Sequence, residues 1–137
     1  MNINNKTQYI LGIDWGMKKC GIAIADDETR IATAKKECGA TTLFELVDSI
    51  NKRYPLSAII IGSSKLNVND RNLKHIKKVI EQFTKNGFSV HEEEEMFSTL
   101  LAQRNLAEAD KKNISKNDNA ESARVILQSW LDNNRRT

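Results

Sequence analysis

Apolar residues follow two rhythms along this chain. Tyr9-Ile10-Leu11-Gly12-Ile13 is a nearly continuous apolar run of the kind buried on both faces of a sheet, and it ends at Asp14. Cys20-Gly21-Ile22-Ala23-Ile24-Ala25-Asp26, rich in small and β-branched residues, predicts a second strand. Trp15 to Lys19 is short enough for a hairpin turn, with Gly16 free to take positive φ. After a polar turn at Asp26-Asp27-Glu28-Thr29, the alternation from Arg30 to Lys36 predicts a third strand. The period then becomes helical. Leu43, Leu46, Val47 and Ile50 mark one amphipathic helix, with Thr41 or Thr42 as its cap and Pro55 beyond its end. Ala58-Ile59-Ile60-Ile61-Gly62 is a fourth strand, followed by a polar loop from Ser63 to Asn69. Leu73, Ile76, Val79, Ile80 and Phe83 mark a second helix closed near Asn86-Gly87, and Phe88 to Glu92 is a fifth strand. Ser98 or Thr99 opens a further helix. Asp118 or Asn119 caps a last one carrying Ala123, Val125, Ile126, Leu127, Trp130 and Leu131.

Three antiparallel strands followed by strand–helix units predict an α/β fold, a mixed five-stranded sheet flanked by helices. With no internal repeat or linker, residues 1–137 read as a single domain. Ligand sites in such sheets lie at the carboxyl ends of the parallel strands. Asp14 and the acidic block Glu92 to Glu95 both fall at such ends.

Composition narrows the picture by exclusion. A hydrophobic fraction of 39% supports an ordinary core. No purely aliphatic run, Ala58 to Ile61 included, exceeds four residues, far short of the roughly 20 that span a bilayer. No signal peptide is visible at the N-terminus, so a cytoplasmic location without membrane contact is the expectation. Cys20 and Cys38 form no CxxC pair, which argues against a zinc knuckle or redox motif. They read as two thiols in a reducing compartment. The net charge of +3 points only weakly to a polyanionic partner. More telling are the basic groups Lys18-Lys19, Lys35-Lys36, Lys74/Lys77-Lys78 and Lys111-Lys112.

Each acidic candidate has a plain structural role beside a chemical one. Asp14 suits a tight turn through its own backbone, or a metal site at a strand end. Glu92 to Glu95 suits a solvated charge run, although four adjacent like charges repel unless a cation is near. Asp118 with Glu121 forms a capping box, and a helix start can also present a carboxylate to a site. Ser98 and Thr99 can cap a helix or hold a phosphate at its N-terminus. Lys18 and Lys19, beside Asp14, can contact a phosphate or stay solvated. His75 reads as a surface residue, and His91 as a strand residue without a partner at metal-site spacing.

The run from Asp14-Trp15-Gly16-Met17-Lys18-Lys19-Cys20-Gly21 to Ile22-Ala23-Ile24-Ala25-Asp26 resembles the opening motif D-x-G-x-K-x-x-G-x-A-x-x-D of the YqgF family, with every fixed position present. Members are described as Holliday-junction-resolvase-like proteins and as nucleases of pre-16S ribosomal RNA. Glu94-Glu95-Met96-Phe97-Ser98-Thr99 resembles the family's D-E-R-L-[ST]-T, and residues 122–131 resemble its closing helix. The resemblance implies a ribonuclease-H-like fold and Mg2+ or Mn2+ held by three acidic residues. It further implies a nucleic-acid partner, pre-ribosomal RNA first and branched DNA second, bound by a monomer or a homodimer. Asp14 matches the first acidic position and Glu95 the second. A gapless alignment puts the third at Asn119. Asp118, one residue earlier, is the acidic residue taken here, and Glu121 is a further option. Met96 replaces the family's arginine, and Ser63-Ser64-Lys65-Leu66-Asn67 replaces its L-P-x-N. Asn119 and Met96 motivate a different class, an RNA-binding ribosome-assembly protein of weak catalytic power. A sugar-kinase-like half-domain shares the D-x-G strand, but the chain lacks length for its second lobe.

Overall fold

In the computed structural model, residues 7–62, 70–93 and 118–134 are described, with side chains from 70 to 73 and at 118 left aside. The expected polar loop at 63–69, the helix opening at Ser98 or Thr99 and the basic pair Lys111-Lys112 lie outside these residues.

The strands are β1 (Tyr9–Asp14), β2 (Lys19–Asp26), β3 (Thr33–Gly39), β4 (Leu56–Gly62) and β5 (Val90–Glu92). They form one sheet in the order β3-β2-β1-β4-β5. The first three strands pair antiparallel, while β4 lies parallel to both β1 and β5. The carboxyl ends of β1, β4 and β5 therefore share one edge. This mixed sheet, flanked by helices, is the fold that the strand order predicts.

Alternation along β1 assigns its side chains to two cores. Leu11, Ile13 and Trp15 join Cys20, Ile22, Ile59 and Ile61 beneath α1 (Leu43–Arg53) and α2 (Asp70–Lys85). Ile10 joins Ala23, Ala25, Ala58 and Ile60 beneath α3 (Asp118–Asn133). Each fully buried aliphatic side chain here contributes about 1.5–3 kcal/mol of transfer free energy. Apart from Ile10 and Ile60, the α3 face of the sheet is built largely of glycine and alanine, and this sets the depth of the helix. A methyl group built on Gly12 would lie 2.6 Å from Leu127 Cβ, and one on Gly21 would overlap the Asn119 carbonyl. Only glycine at both positions lets α3 lie this close.

Turns and caps follow local chemistry. The α2 terminus is a Schellman closure: Phe88 N–H donates to Phe83 O (3.1 Å) and Gly87 N–H to Thr84 O (3.0 Å). Gly87 takes φ of 95°, and the Phe83 and Phe88 rings meet at 5.9 Å across the turn. Two expectations shift. Thr42 precedes α1, but its hydroxyl donates back to Gly39 O instead of capping the helix, because a 3-10 turn over Ala40–Thr42 leads in. β3 begins at Thr33, not Arg30. Arg30 sits at φ of 57°, and the Gln128 side chain on α3 takes Ala32 N–H and donates to Arg30 O. A distant amide thus takes the Ala32 N–H and the Arg30 carbonyl, while Arg30 N–H donates to Asp26 O at the end of β2 (3.0 Å). No helix among the described residues is long and apolar enough to cross a membrane.

Candidate active site

Asp14 ends β1 on the face toward α3, two residues beyond Gly12. It is only 3% exposed. A buried carboxylate is costly unless it is paired, hydrogen-bonded or bound to a metal, so this position is set by more than turn formation. Its neighbours explain how the chain holds it. Asp14 is paired with Gly21 on one side and Gly62 on the other, and neither brings a side chain over it. The next backbone group is fixed as well, since Trp15 N–H donates to Gly62 O at 2.7 Å.

Two further elements reach the same place. The carbonyl of Asn119, at the start of α3, lies against Gly21, the residue directly opposite Asp14. The start of α3 therefore packs on the immediate cross-strand neighbour of Asp14. On the other side, Glu93 N–H donates to Ile61 O at 3.0 Å, and Glu93 O stands 3.4 Å from where a Gly62 Cβ would be. The acidic block after β5 therefore starts beside the other neighbour of Asp14. The end of β1, Glu93 after β5 and the backbone at the start of α3 thus lie along one edge of the sheet.

Lys18 and Lys19 are exposed on the β1–β2 hairpin. The hairpin is anchored where Ala40 N–H donates to Lys18 O (3.1 Å), and Cys20 Sγ donates to Gly16 O (3.6 Å). Burial pushes the Cys20 thiol up to about 12, and the nearby Cys38 and Asp14 add to the shift while Gly16 opposes it. The expected capping box of Glu121 with Asp118 rests on a side chain outside those described. Arg124 Nε donates to Glu121 Oε1 at 2.8 Å, which holds the guanidinium further toward its charged form and occupies Glu121. Glu95, Ser98 and Thr99 lie outside the described residues, as does the Asp118 side chain. His75 is half-buried rather than on the surface, and His91 packs its ring 5.2 Å from that of Trp130.

The donors at this edge are hard oxygen groups, the type that suits Mg2+ or Mn2+. Among the described residues, no three His, Cys, Asp or Glu side chains come together as an ion-binding group, so Asp14 is the acidic donor described there.

Comparison with known proteins follows the same lines. The family model described as "RuvX: Holliday junction resolvase" matches residues 8–133. A Bacteroides fragilis protein named "Putative pre-16S rRNA nuclease" is 31% identical over 134 residues, covering 92% of this chain and 97% of its own. A protein of the same name from Sulfurihydrogenibium is 28% identical over 129 residues, covering 90% and 89%. Among solved structures, RuvC of T. thermophilus in complex with a Holliday junction substrate superposes with a TM-score of 0.61 at 10% identity, covering 92% of this chain and 96% of that one. The likeness bears out the ribonuclease-H-like fold.

Proposed function

Since this chain belongs to the RuvX family, we propose that it is a cytoplasmic nuclease that hydrolyses phosphodiester bonds in the 5′ region of pre-16S ribosomal RNA. The observation that carries this reading is Asp14, a buried carboxylate at the edge where the acidic segment and the last helix meet. The names of its curated relatives support the substrate.

Asp14, Glu95 and Asp118 would hold Mg2+ or Mn2+. A bound ion supplies charge stabilisation at the phosphoryl oxygens and lowers the pKa of a bound water. The residues themselves position the substrate. Lys18 and Lys19 stand exposed on the hairpin that continues from Asp14, and their ammonium groups neutralise phosphates on either side of the scissile bond. Ser98 and Thr99 take a further phosphate oxygen. The buried setting of Asp14 removes competing water and strengthens its electrostatic interactions. A second reading, cleavage of branched DNA, draws on the RuvC fold likeness and uses the same acidic residues.

The test is cleavage of a labelled RNA spanning the precursor 16S 5′ end, beside a four-way DNA junction, with and without Mg2+. Asp14→Asn is expected to lower the RNA rate by at least about a hundredfold while the circular-dichroism spectrum is unchanged, since even outer-shell changes at metal sites cost 10–100-fold. A mutant that cuts at the full rate would remove Asp14 from the mechanism. Junction cutting without RNA cutting would move the substrate to branched DNA.

A further inference from the structure

On the sheet face opposite Asp14 the fold leaves an open cleft of about 490 Å³, lined by Trp15, Phe44, His75, Lys78, Val79 and Gln82. Its makeup is specific. Trp15 and Phe44 supply aromatic surface. His75, Lys78, Val79 and Gln82 stand at i, i+3, i+4 and i+7 of α2, so one face of that helix forms the opposite wall with Lys78 and Gln82 exposed. Trp15 is 5% exposed, and its indole N–H is buried with no acceptor among the described residues. An unsatisfied buried donor is costly, and a turn of the ring toward the cleft that brings this N–H to a ligand carbonyl would recover the loss.

We propose that this cleft receives an unpaired nucleobase of the strand whose phosphate lies at Asp14; the idea rests on the nuclease reading above. A nucleobase matches each feature. Its flat ring suits Trp15 and Phe44, its carbonyl oxygens suit an indole N–H donor, and its edge can bond to Gln82. The phosphate attached to it suits Lys78, with Lys74 and Lys77 exposed along the same helix. Chain geometry joins the two sites. Asp14 and Trp15 are consecutive and project to opposite faces, so a strand turning over the sheet edge presents a phosphate to one and a base to the other. The Ala40–Lys18 hydrogen bond holds the basic hairpin over the lead-in to α1, the helix that carries Phe44.

The experiment uses the full chain carrying Asp14→Asn, to prevent cutting, and Trp130→Phe, to leave Trp15 as the one tryptophan. A uridylate hexamer, its deoxy counterpart and an abasic ribose-phosphate hexamer are titrated in turn. Readouts are tryptophan fluorescence and the indole N–H signal in nitrogen–proton NMR. The base-bearing oligomers are expected to quench Trp15 and move its indole signal, whereas the abasic oligomer binds at least about tenfold more weakly and leaves the signal in place. The stronger of the two sugars identifies the strand. Lys78→Ala, at an exposed position, is expected to lower the slope of log affinity against log salt by about 0.7. Salt-sensitive binding of the hexamers with an unmoved Trp15 signal would overturn the cleft and leave the nuclease reading standing. No binding by any oligomer, together with no cleavage by the unmutated chain, would sink both.

Discussion

Asn119 offers an amide oxygen at the start of α3, where a carboxylate would bind a divalent cation more strongly. Its backbone rests on Gly21, the residue opposite Asp14. Asn119→Asp is therefore expected to tighten Mn2+ binding by about tenfold, read by calorimetry. Folding stability should hold, since a negative charge in the first turn of a helix is favourable by a few tenths to 1 kcal/mol. Unchanged metal affinity would place this residue away from the ion and favour Asp118 as the third donor. The cysteines give a second expectation at this scale. Burial raises Cys20 from an ordinary value of 9.0 to about 12, so between these limits the folded chain keeps a proton that the unfolded chain has released. Stability contributed by this thiol is then undiminished below pH 9 and falls as the pH rises toward 12. Urea midpoints measured from pH 8 to 10.5 should decline, and the decline should shrink in Cys20→Ala. In the folded chain a thiol reagent should modify the half-exposed Cys38 before Cys20.

Among the elements, α3 carries the sharpest expectation because its depth depends on two missing side chains. Gly21→Ala puts a methyl group into the Asn119 carbonyl and must push the helix start outward. A loss of about 1–3 kcal/mol in urea unfolding is expected, with cleavage falling alongside. Gly87→Ala, at φ of 95° with open space around it, is expected to cost about 1 kcal/mol with the cleavage rate unchanged. Equal effects of the two changes on cleavage would deny α3 its part in the site. What could be read from the sequence follows the range of each interaction. Strands β1, β2 and β4 and helices α1 to α3 were legible because their burial imposes a period of two, an unbroken apolar run or a period near 3.6. Asp14 was legible as a polar residue closing an apolar strand. The start of β3 was not, because Gln128, nearly a hundred residues later, competes for its backbone groups. Nor was the meeting of Asn119 with Gly21, since a contact made by an absent Cβ leaves no local pattern. The aromatic cleft was hidden for a similar reason. Aromatic residues make up only 6% of the chain, yet Trp15 and Phe44 come from different elements and line one cleft together.

The whole molecule carries a modest net charge of +3, yet among the described residues exposed lysines gather on the β1–β2 hairpin, on β3 at Lys35 and Lys36, and along α2. Affinity for single-stranded RNA should accordingly fall with salt, with a log–log slope of about −0.7 for each phosphate neutralised. Filter binding between 50 and 300 mM KCl measures it, and a flat response would count against a nucleic-acid partner. The way α3 closes over the sheet has a consequence in time as well as in space. Asp14 lies near the beginning of the chain, and the helix that completes its surroundings follows every strand. Domains fold as the ribosome delivers them, N-terminal parts first. The sheet can assemble while the glycine face under α3 is still bare, so a nascent chain holds the carboxylate but not the finished centre. On the reading proposed above, a chain made beside ribosomal RNA would lack its completed site until residues 118–133 have emerged.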